Sequence, residues 1–243
     1  MPGTLVIPDL VHGPLLGRRK RFFADVKFNG DDVVAHCANT GSMRSLLLPN
    51  TEAFLSKSAN PNRKLAYTLE ALHLPTGAWA MVNTQRPNEQ VALALANGVL
   101  AGFPLGSKVE REVRCSEESR LDARVTLPTG KRVWIEVKNV TLMEEITPGI
   151  ASFPDAVSTR ATKHLHELAS LVAQGERACI VYLLNRNDVQ HFVPAKHIDP
   201  VYAKTLAEVV QVGVEVLPLR TNFHWDNSNL SLSISEDVTW SLA

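Results

Sequence analysis

Apolar and polar positions are patterned differently on the two sides of Thr84. Before it, short apolar runs are separated by turn signals. RRKRFFADVKF leads into Asn29-Gly30, a strong hairpin signal, and DDVVAHC follows, so a long strand is expected to fold back on its neighbour. Leu46 to Leu48, Ala53 to Ser56, Leu65 to Leu74 and Ala78 to Val82 are further short strands. Turn signals at Pro49-Asn50, Asn60-Pro61-Asn62 and Pro75-Thr76-Gly77 separate them. About five such strands suit a small closed β-barrel.

After Thr84, strand and helix periods alternate. Glu89 to Asn97 has the pattern of a short helix stopped by Gly98. Lys108 to Arg114 and Arg120 to Thr126 are strands, and Pro128-Thr129-Gly130 turns the second into Lys131 to Val140. Thr147 to Pro154 is a linker, and Asp155 is expected to cap a helix. Its apolar positions Val157, Ala161, Leu165, Leu168 and Val172 keep helical spacing until Gly175. RACIVYLL is a fully apolar strand, Asp199-Pro200 opens a last helix that Gly213 ends, and VEVLPL is a further strand. The residues after Arg220 hold no Lys or Arg and are expected to form a peripheral tail. This order predicts an α/β (α+β two-domain) chain: a barrel over residues 1–84 and a mixed-sheet α/β domain over 85–243.

Composition narrows the function classes. The 243 residues are 45% hydrophobic and 21% charged, which is ordinary for a globular chain and unlike a disordered or coiled-coil one. Formal charge is zero overall, but residues 1–84 carry nine basic and six acidic groups against sixteen and nineteen in the rest. Nucleic-acid binding, if present, therefore belongs to the barrel. Three distant cysteines without a CxxC pair suit reduced thiols, and the histidines form no zinc motif. There is no P-loop or Rossmann glycine pattern. The most apolar stretch, Val91 to Leu105, is broken by Asn97, two glycines and Pro104, and the N-terminus lacks a signal pattern, so no membrane association is expected and the location is expected to be cytoplasmic.

The chemistry concentrates in SRLDARVTLPTGKRVWIEVKNV. A three-residue turn with positive φ at Gly130 sets Leu127 against Lys131, and counting back sets Asp122 opposite Glu136. Alternation puts Val133, Ile135 and Val137 on one face and Trp134, Glu136 and Lys138 on the other. Two facing carboxylates repel unless a cation lies between them, and Mg²⁺ or Mn²⁺ is the natural one. A lysine beside them can orient water or stabilise a phosphoryl transition state, which is the chemistry of phosphodiester hydrolysis. The bland alternative is a solvated strand face in which Lys138 pairs Glu136 and Arg124 pairs Asp122.

Other segments point to nucleic acid. Arg18, Arg19, Lys20 and Arg21 precede Phe22 and Phe23 on the expected long strand, where alternation gives each face two cations and one ring. The rings alone are equally read as core. Asn39-Thr40-Gly41-Ser42 with Arg44 resembles a phosphate cradle, although as bare sequence it is a turn. Arg160, Lys163 and Glu167 share a helix face that can lie beside the carboxylates, with Lys163 on phosphate, or simply be solvated.

The segments VAHCANTGSM, SRLDARV, WIEVKNVTL, FPDAVSTRATKHLHEL and FVPAKHIDPVYAKTL, in this order, resemble the sugar fermentation stimulation protein family of bacteria and archaea over nearly the whole chain. The resemblance implies an N-terminal OB-like barrel and a C-terminal domain similar to PD-(D/E)xK nucleases, with Asp122, Glu136 and Lys138 on the nuclease-like signature. It also implies largely non-specific DNA binding and a regulatory link to maltose metabolism. The helix near Asn88, where related nucleases often place another acid, reads VALALA here, so a DNA-binding regulator with an inactive nuclease-like fold stays open. A homo-oligomer is compatible with everything above.

Overall fold

The computed structural model describes residues 2–117, 119–144 and 147–242. Its first strand, β1 (Leu5–Ile7), does not join the barrel. The barrel consists of β2 (Val11–Arg19), β3 (Phe23–Phe28), β4 (Asp31–His36), β5 (Glu52–Lys57) and β6 (Tyr67–His73). They pair in the order β4-β3-β2-β5-β6, and β4 closes on β6 in parallel through Ala35↔Tyr67 and His36↔Thr68. This is an OB barrel, filled by Ala24, Val26, Ala35, Leu55, Leu69 and Leu72. A short β7 (Trp79–Met81) hangs on β6.

The expected long strand from Arg18 to Phe28 is two strands. Arg19 pairs with Phe23, and Lys20 and Arg21 turn between them with φ of 50° and 63°. Left-handed backbone disfavours side chains of this size, yet no glycine or asparagine marks the turn. The Arg18 guanidinium compensates by donating to the Arg21 carbonyl at 2.9 Å. Leu46 to Leu48 is also not a strand but part of a turn.

The second domain starts with α1 (Arg86–Ala96), followed by β8 (Lys108–Arg114), β9 (Arg120–Thr126) and β10 (Arg132–Val140). Next come β11 (Leu142–Met143), β12 (Ile150–Phe153), α2 (Thr159–Ala173), β13 (Arg177–Leu184) and β14 (His191–Pro194). The chain ends with α3 (Pro200–Gln211), β15 (Glu215–Trp225), β16 (Leu230–Ser235) and β17 (Thr239–Trp240). A seven-stranded sheet runs β1-β16-β15-β13-β10-β9-β8, with β10, β13 and β15 parallel and the flanking pairs antiparallel. A smaller sheet, β11-β12-β14-β17, packs beside it.

Helix α1 covers one face, where Val91, Ala94 and Leu95 meet Val133, Ile135 and Val137. Helices α2 and α3 cover the other, where Leu165, Leu168 and Tyr202 meet Trp134, Ile180 and Tyr182. The alternation expected on β10 is therefore realised.

Three boundaries differ from expectation. Helix α2 is capped by Ser158, whose hydroxyl accepts from the Ala161 N–H at 3.1 Å, while Asp155 lies outside the helix. The linker at 147–154 contains β12, which pairs with β14. The supposed peripheral tail holds β16, whose Leu230, Leu232 and Ile234 are buried. That strand alternates leucine and isoleucine with serine, a half-buried pattern hidden by its polar average.

The two domains are docked on an apolar seam. Phe54, Ala71 and Met81 pack with Leu230, Leu232 and strand β1, and the Met81 N–H reaches the Asn185 carbonyl at 2.9 Å. Arg186, only 1% exposed, pairs with Asp188 and donates to Ser45 Oγ at 3.2 Å and the Thr141 carbonyl at 3.0 Å. Among the described residues no helix is long and apolar enough to cross a membrane.

Candidate functional site

The turn at Pro128-Thr129-Gly130 fixes the hairpin as its residue types require. Gly130 has φ 83°, its N–H bonds to the Leu127 carbonyl at 2.8 Å, and the Leu127 N–H bonds to the Lys131 carbonyl at 2.8 Å. The register runs from Arg132↔Thr126 to Ile135↔Ala123. Beyond that pair the Asp122 carboxylate accepts the Val137 N–H at 2.7 Å, so a side chain takes a backbone donor of β10. The other Asp122 oxygen accepts from Asn88 Nδ2 at 2.6 Å. Asp122 and Glu136 thus converge, by a route other than a simple ladder pair.

Glu136 is 3% exposed and lies under α2. One oxygen accepts from Lys138 Nζ at 2.6 Å and contacts the ring of His164, itself buried. The second oxygen is buried with no hydrogen-bond partner among the described residues. Burial raises the Glu136 carboxyl, but His164 and Lys138 outweigh it and its pKa falls below the ordinary value. At Asp122, burial and then the Glu136 charge win, and the pKa is pushed up to about 6 despite the Val137 N–H, Lys138 and Asn88. Two neighbouring carboxyls whose affinities for a proton are driven apart are a mark of a functional site.

The solvated-face alternative is half met. Lys138 does pair with Glu136, but Arg124 goes to Glu110 at 2.8 Å and stacks on Trp134 at 5.3 Å, leaving Asp122 to Asn88 and Val137. Two contributors were not assigned from sequence. Asn88 stands where a further acid was sought, and His164 holds Glu136. The signal for His164 was its place on the buried stripe with Ala161, Leu165 and Leu168.

The basic residues differ in how far they are committed to contacts within the protein. Arg18 is committed to the carbonyls of Gly41 at 2.9 Å, Arg21 at 2.9 Å and Asn39. Arg19 pairs with Asp25 through bonds of 2.8 and 3.0 Å and lies over Phe23. Lys20 and Arg21 are exposed at the hairpin tip. Phe22 is 50% exposed, which removes it from the core. In the expected phosphate cradle of Asn39 to Ser42, two of the backbone donors are used within the protein. The Gly41 N–H bonds to Asn39 Oδ1 at 2.8 Å and the Ser42 N–H to Asp155 Oδ2 at 3.0 Å. Arg44, Arg160 and Lys163 are exposed, whereas Glu167 turns inward to Ser119 Oγ at 2.7 Å.

Among the described residues no three His, Cys, Asp or Glu side chains cluster as a metal cage. The partnerless Glu136 oxygen and the Asp122 carboxylate nevertheless fit a hard cation that takes one or two carboxylates and completes its shell with water and substrate.

Comparisons with known proteins agree with this architecture. A family model described as the SfsA N-terminal OB domain matches residues 16–82, and one described as the sugar fermentation stimulation protein RE domain matches residues 85–227. Similar proteins include a sugar fermentation stimulation protein homolog of Marinomonas sp., 44% identical over 86% of this chain and 80% of that one. Another, from Bdellovibrio bacteriovorus, is 43% identical over 94% of this chain and 96% of its own. The solved structure of Pyrococcus furiosus SfsA in complex with Ca²⁺ superposes with a TM-score of 0.85 at 25% identity, covering 98% of each chain. The chain therefore belongs to the sugar fermentation stimulation protein family.

Proposed function

We propose that this protein binds DNA largely without regard to sequence and hydrolyses its phosphodiester backbone with Mg²⁺ or Mn²⁺ at Asp122, Glu136 and Lys138. The observation that carries the reading is the buried Glu136 oxygen without a partner, beside an Asp122 whose charged form is disfavoured. A cation held by these two carboxylates would relieve both. The Pyrococcus furiosus relative was solved in complex with Ca²⁺, another hard, oxygen-seeking ion, which supports the reading.

Asp122 and Glu136 would hold the ion, which when bound supplies charge to a phosphoryl oxygen. Val137 N–H and Asn88 fix the Asp122 carboxylate, and His164 fixes Glu136. Lys138, held beside Glu136 at 2.6 Å, would orient water or stabilise the pentavalent phosphate. Lys20, Arg21, Arg44, Arg160 and Lys163 supply phosphate contacts from exposed positions. In the cell this activity, or the binding alone, would serve the regulation of sugar (maltose) metabolism.

A second reading is a DNA-binding regulator with an inactive site. It is favoured by the amide of Asn88, where a third acid would strengthen metal binding. Incubating labelled single- and double-stranded DNA with Mg²⁺, Mn²⁺ or chelator separates the two. Metal-dependent cleavage that Asp122→Asn abolishes, with binding in chelator retained, supports the nuclease. Binding without cleavage in any metal supports the regulator.

A further inference from the structure

We propose that the cavity between the two domains receives a single nucleotide of the substrate strand, so that the protein selects single-stranded over duplex DNA. The proposal rests on the phosphodiesterase reading of Asp122, Glu136 and Lys138. The cavity, about 430 Å³, lies between the barrel's 38–41 loop with Arg21 and the second domain's 139–142 and 152–158 segments. That volume belongs to a site for a small molecule or one residue of a polymer. A B-form duplex, whose major groove alone is about 12 Å wide, does not enter it.

The lining suits the edges of a base and sugar better than a free anion. Arg21 offers an exposed cation at the rim, and Thr40 an exposed hydroxyl. Asp155 opposes them as an acceptor, its Oδ2 held by the Ser42 N–H at 3.0 Å. Ser152, another wall residue, is buried with a hydroxyl that has no partner among the described residues. A bare phosphate would meet the Asp155 charge. A nucleotide can instead place its phosphate by Arg21 and its neutral hydrogen-bonding groups by Asp155 and Thr40.

Position links the cavity to the carboxylates. Strand β10 carries Glu136 and Lys138 and then supplies the wall residues Asn139 and Val140. The α2 cap Ser158 lines the cavity, and His164, six residues on, touches Glu136. Six residues span about 9 Å of helix, a distance of nucleotide dimensions. A strand with a phosphate at the carboxylates therefore brings a neighbouring nucleotide to the cavity. Both domains build the walls, and their approach is close: a Cβ on Gly41 would stand 2.4 Å from Asp155 Oδ2.

The test is equilibrium binding in chelator, using single-stranded and duplex oligonucleotides of one sequence. Wild-type protein should bind the single strand about tenfold more tightly, the worth of one enclosed base. Thr40→Trp, which fills the cavity from an exposed loop, should lower single-strand affinity to the duplex level and leave duplex binding unchanged. Arg21→Ala should weaken both forms, the single strand more. A 2-aminopurine walked along the strand should brighten at one position in wild type and at none in Thr40→Trp. Equal affinity of wild type for both forms, or a preference that survives in folded Thr40→Trp, overturns the proposal. Cleavage measured separately in Mn²⁺ tells the two readings apart. Cleavage without strand preference rejects the cavity alone, and strand preference without cleavage rejects the phosphodiesterase alone.

Discussion

Two glutamates are buried among the described residues, one in each domain, and they are finished differently. Glu70 in the barrel, 1% exposed, accepts from Ser56 Oγ at 2.7 Å, Asn83 Nδ2 at 2.9 Å, and Arg86 Nε and Nη2 at 2.9 and 3.0 Å. Both of its oxygens are satisfied. Glu136, 3% exposed, gathers Lys138 and His164 on one oxygen and leaves the other bare. Burying a charge is tolerated when it is paired and fully hydrogen-bonded, as at Glu70. The bare oxygen of Glu136, next to a second carboxylate, needs an explanation of its own, and the proposed cation supplies one. On the proposed reading the first glutamate is structural and the second holds the ion.

The largest expected effect sharpens the chemical half of the contrast. Asp122→Asn and Lys138→Met should each lower metal-dependent cleavage by about 10³-fold, measured under single-turnover conditions. Glu70→Gln should leave cleavage per folded molecule unchanged. Its effect falls on the fold, because the Arg86 guanidinium loses its buried partner, and denaturant unfolding should show a loss of about 3 kcal/mol.

A smaller effect concerns pH. The native state holds the Asp122 proton more tightly than the unfolded chain, with a pKa raised from 3.8 to about 6. Ionising this carboxyl therefore costs the fold nothing below about pH 4, progressively more up to about pH 6, and a constant amount above. Without divalent metal, Asp122→Asn should be more stable than wild type by about 3 kcal/mol at pH 7 and nearly equal to it at pH 4. Thermal melts at both values check this; a variant equally or less stable at pH 7 would show that the Asp122 charge is not strained.

Gly130→Val should destabilise the second domain by about 1–2 kcal/mol. The site around a Cβ there is open, so the cost is the positive φ alone. The smallest effect is on binding. Lys20→Ala with Arg21→Ala should lower the slope of log affinity against log salt by about 1.4–1.8, while Arg19→Ala, whose charge is already neutralised by Asp25, should barely change it.

The site was more legible in the sequence than the binding surface, for reasons that lie in particular residues. Pro128-Thr129-Gly130 announces a turn of known length, and strand alternation then places Asp122, Glu136 and Lys138 together. Lys20 and Arg21 make an equally tight turn with no residue that signals it, because Arg18 stabilises it from outside. Periodicity placed Ala161, Leu165 and Leu168 inward but is silent about what their neighbour His164 meets, since Glu136 lies 28 residues away on another element. Asp155 looked like a cap because acids commonly are, yet its partner is Ser42 in the other domain. Local patterns reveal elements and faces; contacts between distant elements need the fold.

Calorimetric titration with Mn²⁺ tests most directly whether Glu136 and Asp122 form a site awaiting a cation. Wild-type protein should take up Mn²⁺ saturably, Asp122→Asn should take up none, and Lys138→Met should bind at least as tightly as wild type because a competing positive charge is gone. Absence of uptake by wild type, or uptake unchanged in Asp122→Asn, would contradict the account and leave Glu136 as structural as Glu70.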